Sequence, residues 1–228
     1  MYKRQEHIDF LQLRDFAVST ATRAAELIAA RRAELVAGDG IAAHTSTKSS
    51  DVDPVTEVDT ATEEFIATTI RTQRPGDGIF GEEGANVEST SGVTWIVDPI
   101  DGTVNFLYGV PDFAVSIGAE YQGRLVAGAV VNVARGRTYA AAAGQGATVT
   151  GPDGKAHPLQ CAHTKNPALA LVATGFGYDA QRRAAQAELL TKLLPQVRDI
   201  RRIGAAALDL CRVCLLYTSD AADERSSV

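Results

Sequence analysis

Cysteine is scarce, 3 in 228 residues, too few for a four-cysteine metal site. That excludes a disulfide scaffold and points to a reducing compartment, hence the cytoplasm. Cys161 and Cys211 read as small buried residues. Positive charge is also short. The 22 Lys and Arg against 28 Asp and Glu leave a net charge of −6, so the chain lacks the basic face of a general nucleic-acid or membrane-surface binder. No apolar run is long enough to span a bilayer. The start shows no charged-then-apolar leader. There is no internal repeat and no low-complexity tract. His7, His44, His157 and His163 are scattered among polar or turn residues and read as surface positions. What remains is an ordinary apolar content, 45%, and enough chain for one large domain or two small ones.

Periodicity organises that chain. Ile8, Leu11, Phe16, Ala24, Leu27, Ile28 and Leu35 recur at helical spacing, and Gly38 and Gly40 end the helix. Residues 45–54 are polar and turn-like. A second helix begins near Thr56, with Val58, Ala61, Phe65, Ile66 and Ile70 on one face, and RPGDG at 74–78 breaks it. Strands are expected at 79–81, 94–97, 114–121, 125–133 and 137–142, with a hairpin around Gln122-Gly123-Arg124. Gly144, Gly146, Gly151 and Gly154 mark a turn region. Beyond His157, a buried strand at 169–173, a helix at 180–194, a short strand at 197–201 and a helix from Gly204 alternate as parallel α/β structure does. An α+β first part therefore runs to about residue 155, followed by the opening of an α/β second part.

The sequence WIVDPIDGTVNF, residues 95–106, carries the chemistry. An apolar strand ends in Asp98, and a second carboxylate follows at Asp101. Buried carboxylates need a positive partner. Oxygen donors with no Cys or nearby His select Mg2+ or a similar hard ion, and the Ile100 carbonyl can face the same ion. Gly102 and Thr103 add amides suited to phosphate oxygens. Upstream, FGEEG at 80–84 places Glu82 and Glu83 side by side, where a shared cation would relieve their repulsion. Asp59 on the second helix gives a third acidic position. Three acidic positions and an amide-rich turn suit a multi-metal phosphate hydrolase.

On these residues the chain resembles the inositol monophosphatase family of Mg2+-dependent, Li+-inhibited phosphatases. Trp95 through Phe106 match its W-x-x-D-P-[ILM]-D-G-T-x-N-F motif without a gap. Gly81 to Glu83 match its G-E-E motif, and Lys48, Asp53, Val55, Thr56 and Asp59 match the upstream pattern. RRIGAAALDLCRV at 201–213 is similar to the segment before the last metal motif, and ATGFGYDAQRR at 173–183 looks closest to bacterial inositol-1-phosphatase members.

The resemblance implies a layered αβαβα sandwich whose second α/β part is incomplete. It also implies site roles. Glu82, Asp98 and the Ile100 carbonyl would hold one Mg2+, and Asp98 with Asp101 a second. Glu82 would contact a third ion or its waters, with Asp59 in the outer shell. Thr103, paired with Asp59, would orient and deprotonate the attacking water, which makes Glu82, Thr103 and Asp59 the catalytic set. Gly102 and Thr103 would hold the phosphate. Asp101 would touch a substrate hydroxyl, and Gly204, Ala205 and Ala206 would line the alcohol. The implied reaction is direct in-line hydrolysis of a phosphate monoester without a phosphoenzyme. The implied substrate is inositol 1-phosphate or a related sugar phosphate, and the implied assembly is a homodimer. Histidinol phosphatase, nucleotide-bisphosphate phosphatase and a non-catalytic role beside the transcription machinery are the alternatives.

Two departures qualify the match. The family's later W-D-x-A-A-G motif, with a further metal Asp, does not follow residue 213. MYKRQ at 1–5 and the tail at 214–228, which begins CLLYTSDAADE, resemble translated sequencing adapter. Residues 6–155 are then expected to form the α+β metal-binding domain, and 156–213 part of an α/β domain. A chain of that kind is expected to expose the apolar faces of 169–173 and of the helix after it, to be poorly soluble and to be nearly inactive.

Overall fold

The computed structural model describes residues 8–37, 45–47, 54–161 and 164–215. Helix α1, Phe10–Ala37, buries a seam of small residues, Ala17, Ala21, Ala24 and Ala25, between Leu13 and Ile28. Their small side chains let the helix lie close against the sheet. It starts two residues after the expected Ile8, where the Asp9 carboxylate accepts the Leu11 N–H at 2.9 Å. The glycine stop expected at Gly38 and Gly40, the positions Lys48 and Asp53, and His7, His44 and His163 lie outside the described residues.

The stretch expected to be turn-like contains a correction. β1, Thr45–Thr47, pairs antiparallel with β2, Pro54–Thr56. Helix α2, Glu57–Gln73, follows at once and buries Val58, Ile66, Ala67 and Ile70. Two acids, Asp59 and Glu63, are buried on the same helix. The RPGDG break does more than stop the helix. Asp77 is buried and accepts the Trp95 indole N–H at 2.9 Å and the Ser91 hydroxyl at 2.6 Å, and it pairs with Arg74.

An eight-stranded sheet forms the centre, in the order β10-β9-β8-β7-β6-β5-β3-β4. Its strands are β3 Gly78–Gly81, β4 Asn86–Val87, β5 Val93–Asp101, β6 Ala114–Tyr121, β7 Arg124–Asn132, β8 Arg137–Ala142, β9 Gly146–Thr150 and β10 Ala156–Leu159. β3 and β5 run parallel, and the other neighbours are antiparallel. The β6–β7 hairpin turns on Gln122 and Gly123, at φ 53° and 76°, the paired positive angles of a type I′ turn.

Two expectations about this sheet change. The glycine-punctuated region yields strands β9 and β10, with β9 paired to both β8 and β10 and β10 at the sheet edge. β5 does not stop at Val97. It continues through Asp98, opposite Ser116, to Asp101, opposite Ala114, with an irregularity between them. Pro99 sits in that irregularity, where the missing N–H costs no ladder bond.

Alternation along β6 separates the two faces. Val115, Ile117 and Ala119 join Trp95, Phe106 and the α1–α2 pair in the main core. Ala114 faces the other way and packs with Tyr139, Val149, Ala205 and Leu208. Leu208 belongs to α5, Ala206–Leu215, which covers that second face.

The remaining chain forms a β-α-β unit. β11, Leu171–Ala173, and β12, Asp199–Arg201, are parallel, with α4, Ala180–Leu193, between them. The buried strand expected at 169–173 is a correction: Leu171 and Val172 are half-buried and Ala173 is exposed. No residue of α4 is buried. The exposed apolar faces expected there are present, with Leu169 at 54%, Leu189 at 65% and Leu194 at 54% exposure. Cys161 is exposed rather than buried, and Cys211 is intermediate. The whole is a layered α/β arrangement, and no described helix is long and apolar enough to cross a membrane.

Candidate active site

β5 delivers the acids. Its bulge lets Asp98, Ile100 and Asp101 reach one cleft of about 570 Å³, which Gly102, Thr103 and Glu82 also line. Glu82 arrives from the segment after β3, where its N–H is donated to the Val97 carbonyl of β5 at 3.2 Å. The parallel β3–β5 pairing thus carries both acidic motifs to one sheet end. The opposite wall is Gly204, Ala205 and Ala206 with Arg202 and Asp209, and residues 173–176 with Tyr178 close the side.

Gly102 makes the turn between β5 and the short helix α3, Thr103–Tyr108. Its φ is +90°, and a Cβ there would lie 3.0 Å from the Ala205 Cβ and 3.1 Å from the Asp112 carbonyl oxygen. Only glycine meets both demands. The Asn105 amide locks the same junction by donating to the Asp112 carbonyl at 2.6 Å and to the Ile203 carbonyl at 2.9 Å. Asp101 Oδ1 accepts the Ala206 N–H at 3.0 Å, and Oδ2 accepts the Ala207 N–H at 2.8 Å. Asp101 therefore caps α5 and draws residues 204–206 against the turn.

Thr103 donates its hydroxyl toward the Ile100 carbonyl at 3.1 Å and lies 3.4 Å from Asp59 Oδ2. The Thr103–Asp59 pair that the family resemblance implies thus comes together across 44 residues. Asp59 itself is buried behind the cleft wall, at 2% exposure.

Electrostatics single out Asp98. Burial, then the Glu82, Asp101 and Asp59 carboxylates, push its acid up to about 9. Asp98 Oδ1 is buried and accepts no hydrogen bond from a described residue. Burial also raises Asp101, against the lowering effect of the Ala207 and Ala206 amides. Like charges gathered this way favour either protonation or a shared cation. The donor set is all oxygen, which suits a hard divalent ion. Among the described residues no group of three acidic, His or Cys side chains is placed to hold a metal ion on its own.

Every site residue expected from the sequence falls at this cleft or directly behind it. Other wall residues were given no role by the sequence: Phe176 and Tyr178 on the β11–α4 loop, and Asp209 and Leu210 on α5. The β11–α4 loop leaves the C-terminal end of a parallel strand, the usual place for a ligand crevice. Arg202 adds a positive charge to the cleft lining.

A model of the inositol monophosphatase family matches residues 9–217. The chain belongs to the inositol monophosphatase family. It is 51% identical over 211 residues to the inositol-1-monophosphatase of Mycobacterium bovis, covering 89% of this chain and 72% of that one. The Nus factor SuhB of Pseudomonas aeruginosa is 38% identical over 167 residues, 71% of this chain and 60% of that one. Among solved structures, Mycobacterium tuberculosis SuhB superposes with a TM-score of 0.76 at 45% identity, covering 90% of this chain and 74% of that chain. Membership in the inositol monophosphatase family places the protein among phosphatases with a layered α/β fold, a family that generally uses a divalent metal.

Proposed function

We propose that this protein is a Mg2+-dependent phosphomonoesterase acting on inositol 1-phosphate or a related sugar or alcohol phosphate in the cytoplasm. One observation carries the reading. Glu82, Asp98 and Asp101 share a cleft with the Gly102–Thr103 turn, where Asp98 stays ionised at neutral pH only beside a cation. Glu82, Asp98, Asp101 and the Ile100 carbonyl are the donors that would hold two or three ions. Bound there, Mg2+ would supply positive charge to the phosphoryl oxygens and lower the pKa of the attacking water.

The protein's own groups supply the rest. The Gly102 and Thr103 amides orient the phosphate. The Thr103 hydroxyl, held between Ile100 and Asp59, positions the water and takes part in moving its proton toward Asp59. Asp101 and residues 204–206 set the alcohol against that phosphate.

The name of the Pseudomonas relative favours a second reading, a binding role without catalysis. Buried, mutually repelling carboxylates are a costly way to build a scaffold, so the catalytic reading is preferred. Phosphate release from inositol 1-phosphate, with Mg2+ and then with excess chelator, separates the two. Release that requires Mg2+ supports the phosphatase, and none above background at any Mg2+ concentration removes it.

A further inference from the structure

Glu82 stands outside the regular elements, its N–H donated to the Val97 carbonyl of β5 at 3.2 Å. It lies just past β3, on the segment 81–85, and the backbone of that segment is held from beneath by Glu63. Glu63 is on α2, one turn after Asp59, and is only 4% exposed. Its Oε2 accepts the Glu83 N–H at 2.7 Å, and its Oε1 accepts the Ala85 N–H at 2.9 Å. The Gly81 N–H closes the segment by donating to the Ala85 carbonyl at 2.9 Å. Gly81 is a glycine for the same reason: a Cβ there would lie 2.4 Å from Glu63 Oε2 and 2.6 Å from its carboxyl carbon. One carboxylate therefore fixes the two amides that follow Glu82 and leaves no space for a side chain at the residue before it. Short bonds from amides to a buried carboxylate are among the stiffest tethers a protein has.

We propose that Glu63 is a positioning residue for the cation donor Glu82, holding segment 81–85 so that Glu82 faces Asp98 in the cleft. The proposal rests on the cation reading above. One face of α2 then serves the site twice, through Asp59 behind Thr103 and through Glu63 beneath Glu82. Outer groups that orient a ligand carboxylate generally change metal affinity by tenfold to a hundredfold when altered.

The test is Mn2+ binding to the whole chain by isothermal titration calorimetry, alongside amide hydrogen exchange at residues 82–85 and a thermal melt. Glu63→Gln keeps the shape but offers an NH2 to one of the two amides. It is expected to weaken Mn2+ binding about tenfold or more and to speed exchange at Glu83 and Ala85, with global melting largely kept. Gly81→Ala pushes on the same carboxylate from the other side and gives a second route to the same result if Glu63→Gln does not fold. Faster exchange with Mn2+ affinity within twofold of wild type overturns the proposal and leaves Glu63 a structural tether. Unchanged exchange and unchanged affinity overturn it as well. A wild type that binds no Mn2+ removes the cation reading and this inference together, an outcome distinct from wild type and variant binding equally.

Discussion

Gly102→Ala tests whether the phosphate turn and the alcohol wall are built as one close-packed unit. The substitution meets two separate obstacles. At φ +90°, a Cβ meets the left-handed penalty of roughly 1–2 kcal/mol. It also enters space held by the Ala205 Cβ at 3.0 Å, the Asp112 carbonyl at 3.1 Å and the Gly204 carbonyl at 3.2 Å. Two of these are backbone atoms pinned by Asn105 and α5, so overpacking adds about 1–3 kcal/mol. The expected total is about 2–5 kcal/mol.

Gly144 provides the control. Its φ is +75° with nothing within 4 Å, so Gly144→Ala should show the dihedral cost alone. Trp95 is the single tryptophan and is fully buried, so its emission during urea unfolding reports each variant. Gly102→Ala should lose at least about 1 kcal/mol more than Gly144→Ala and most of any phosphatase activity. Equal losses in the two variants, with activity retained in Gly102→Ala, would refute the close-packed junction.

Asp112 governs an acid-dependent part of stability. Burial alone would raise its acid, but Arg135, bonded at 3.1 and 3.2 Å, and Arg212, bonded at 2.5 Å, outweigh that and hold it below the ordinary range. A depressed native pKa stabilises above the unfolded value, near pH 4, and is lost as pH falls through the native value. Wild-type stability should therefore drop below about pH 4, and Asp112→Asn should flatten that drop in melts from pH 6 downward. Trp95→Phe deletes the indole donor to buried Asp77 and opens a void, an expected loss of about 2–4 kcal/mol by circular dichroism. Asp98→Asn should abolish Mg2+-dependent phosphate release while leaving the fold intact, and wild-type turnover in that variant would sink the role given to Asp98.

Much of this site was legible because its donors are compressed into two local motifs. Residues 95–106 and 81–83 placed Glu82, Asp98, Ile100, Asp101, Gly102 and Thr103 before any packing was known. Contacts that close over long separations were not legible. Arg212 reaches Asp112 across 100 residues, and Asn105 reaches Ile203 across 98. Glu63 gave no signal, because an acid in a polar-rich helix looks solvated until the segment above it is in place. Asp77 looked like turn punctuation for the same reason, and its worth comes from Trp95 on another strand. The fold was legible where periodicity and burial agree, as in α1 and β6. It was less so at β9 and β10, where two short strands at one end of the sheet carry few large apolar residues and turn glycines dominate. β5 was read too short because two acids and a proline break the expected alternation, while its pairing with β6 carries the strand through them.

The most direct test of the central claim is diffraction from crystals soaked in Mn2+, recorded at a wavelength where manganese scatters anomalously. The account predicts anomalous peaks in the cleft, with carboxylate oxygens of Asp98 and Glu82 or Asp101 within normal ligand distance. A fully soaked crystal with no peak there, and Asp98 unmoved, would contradict it.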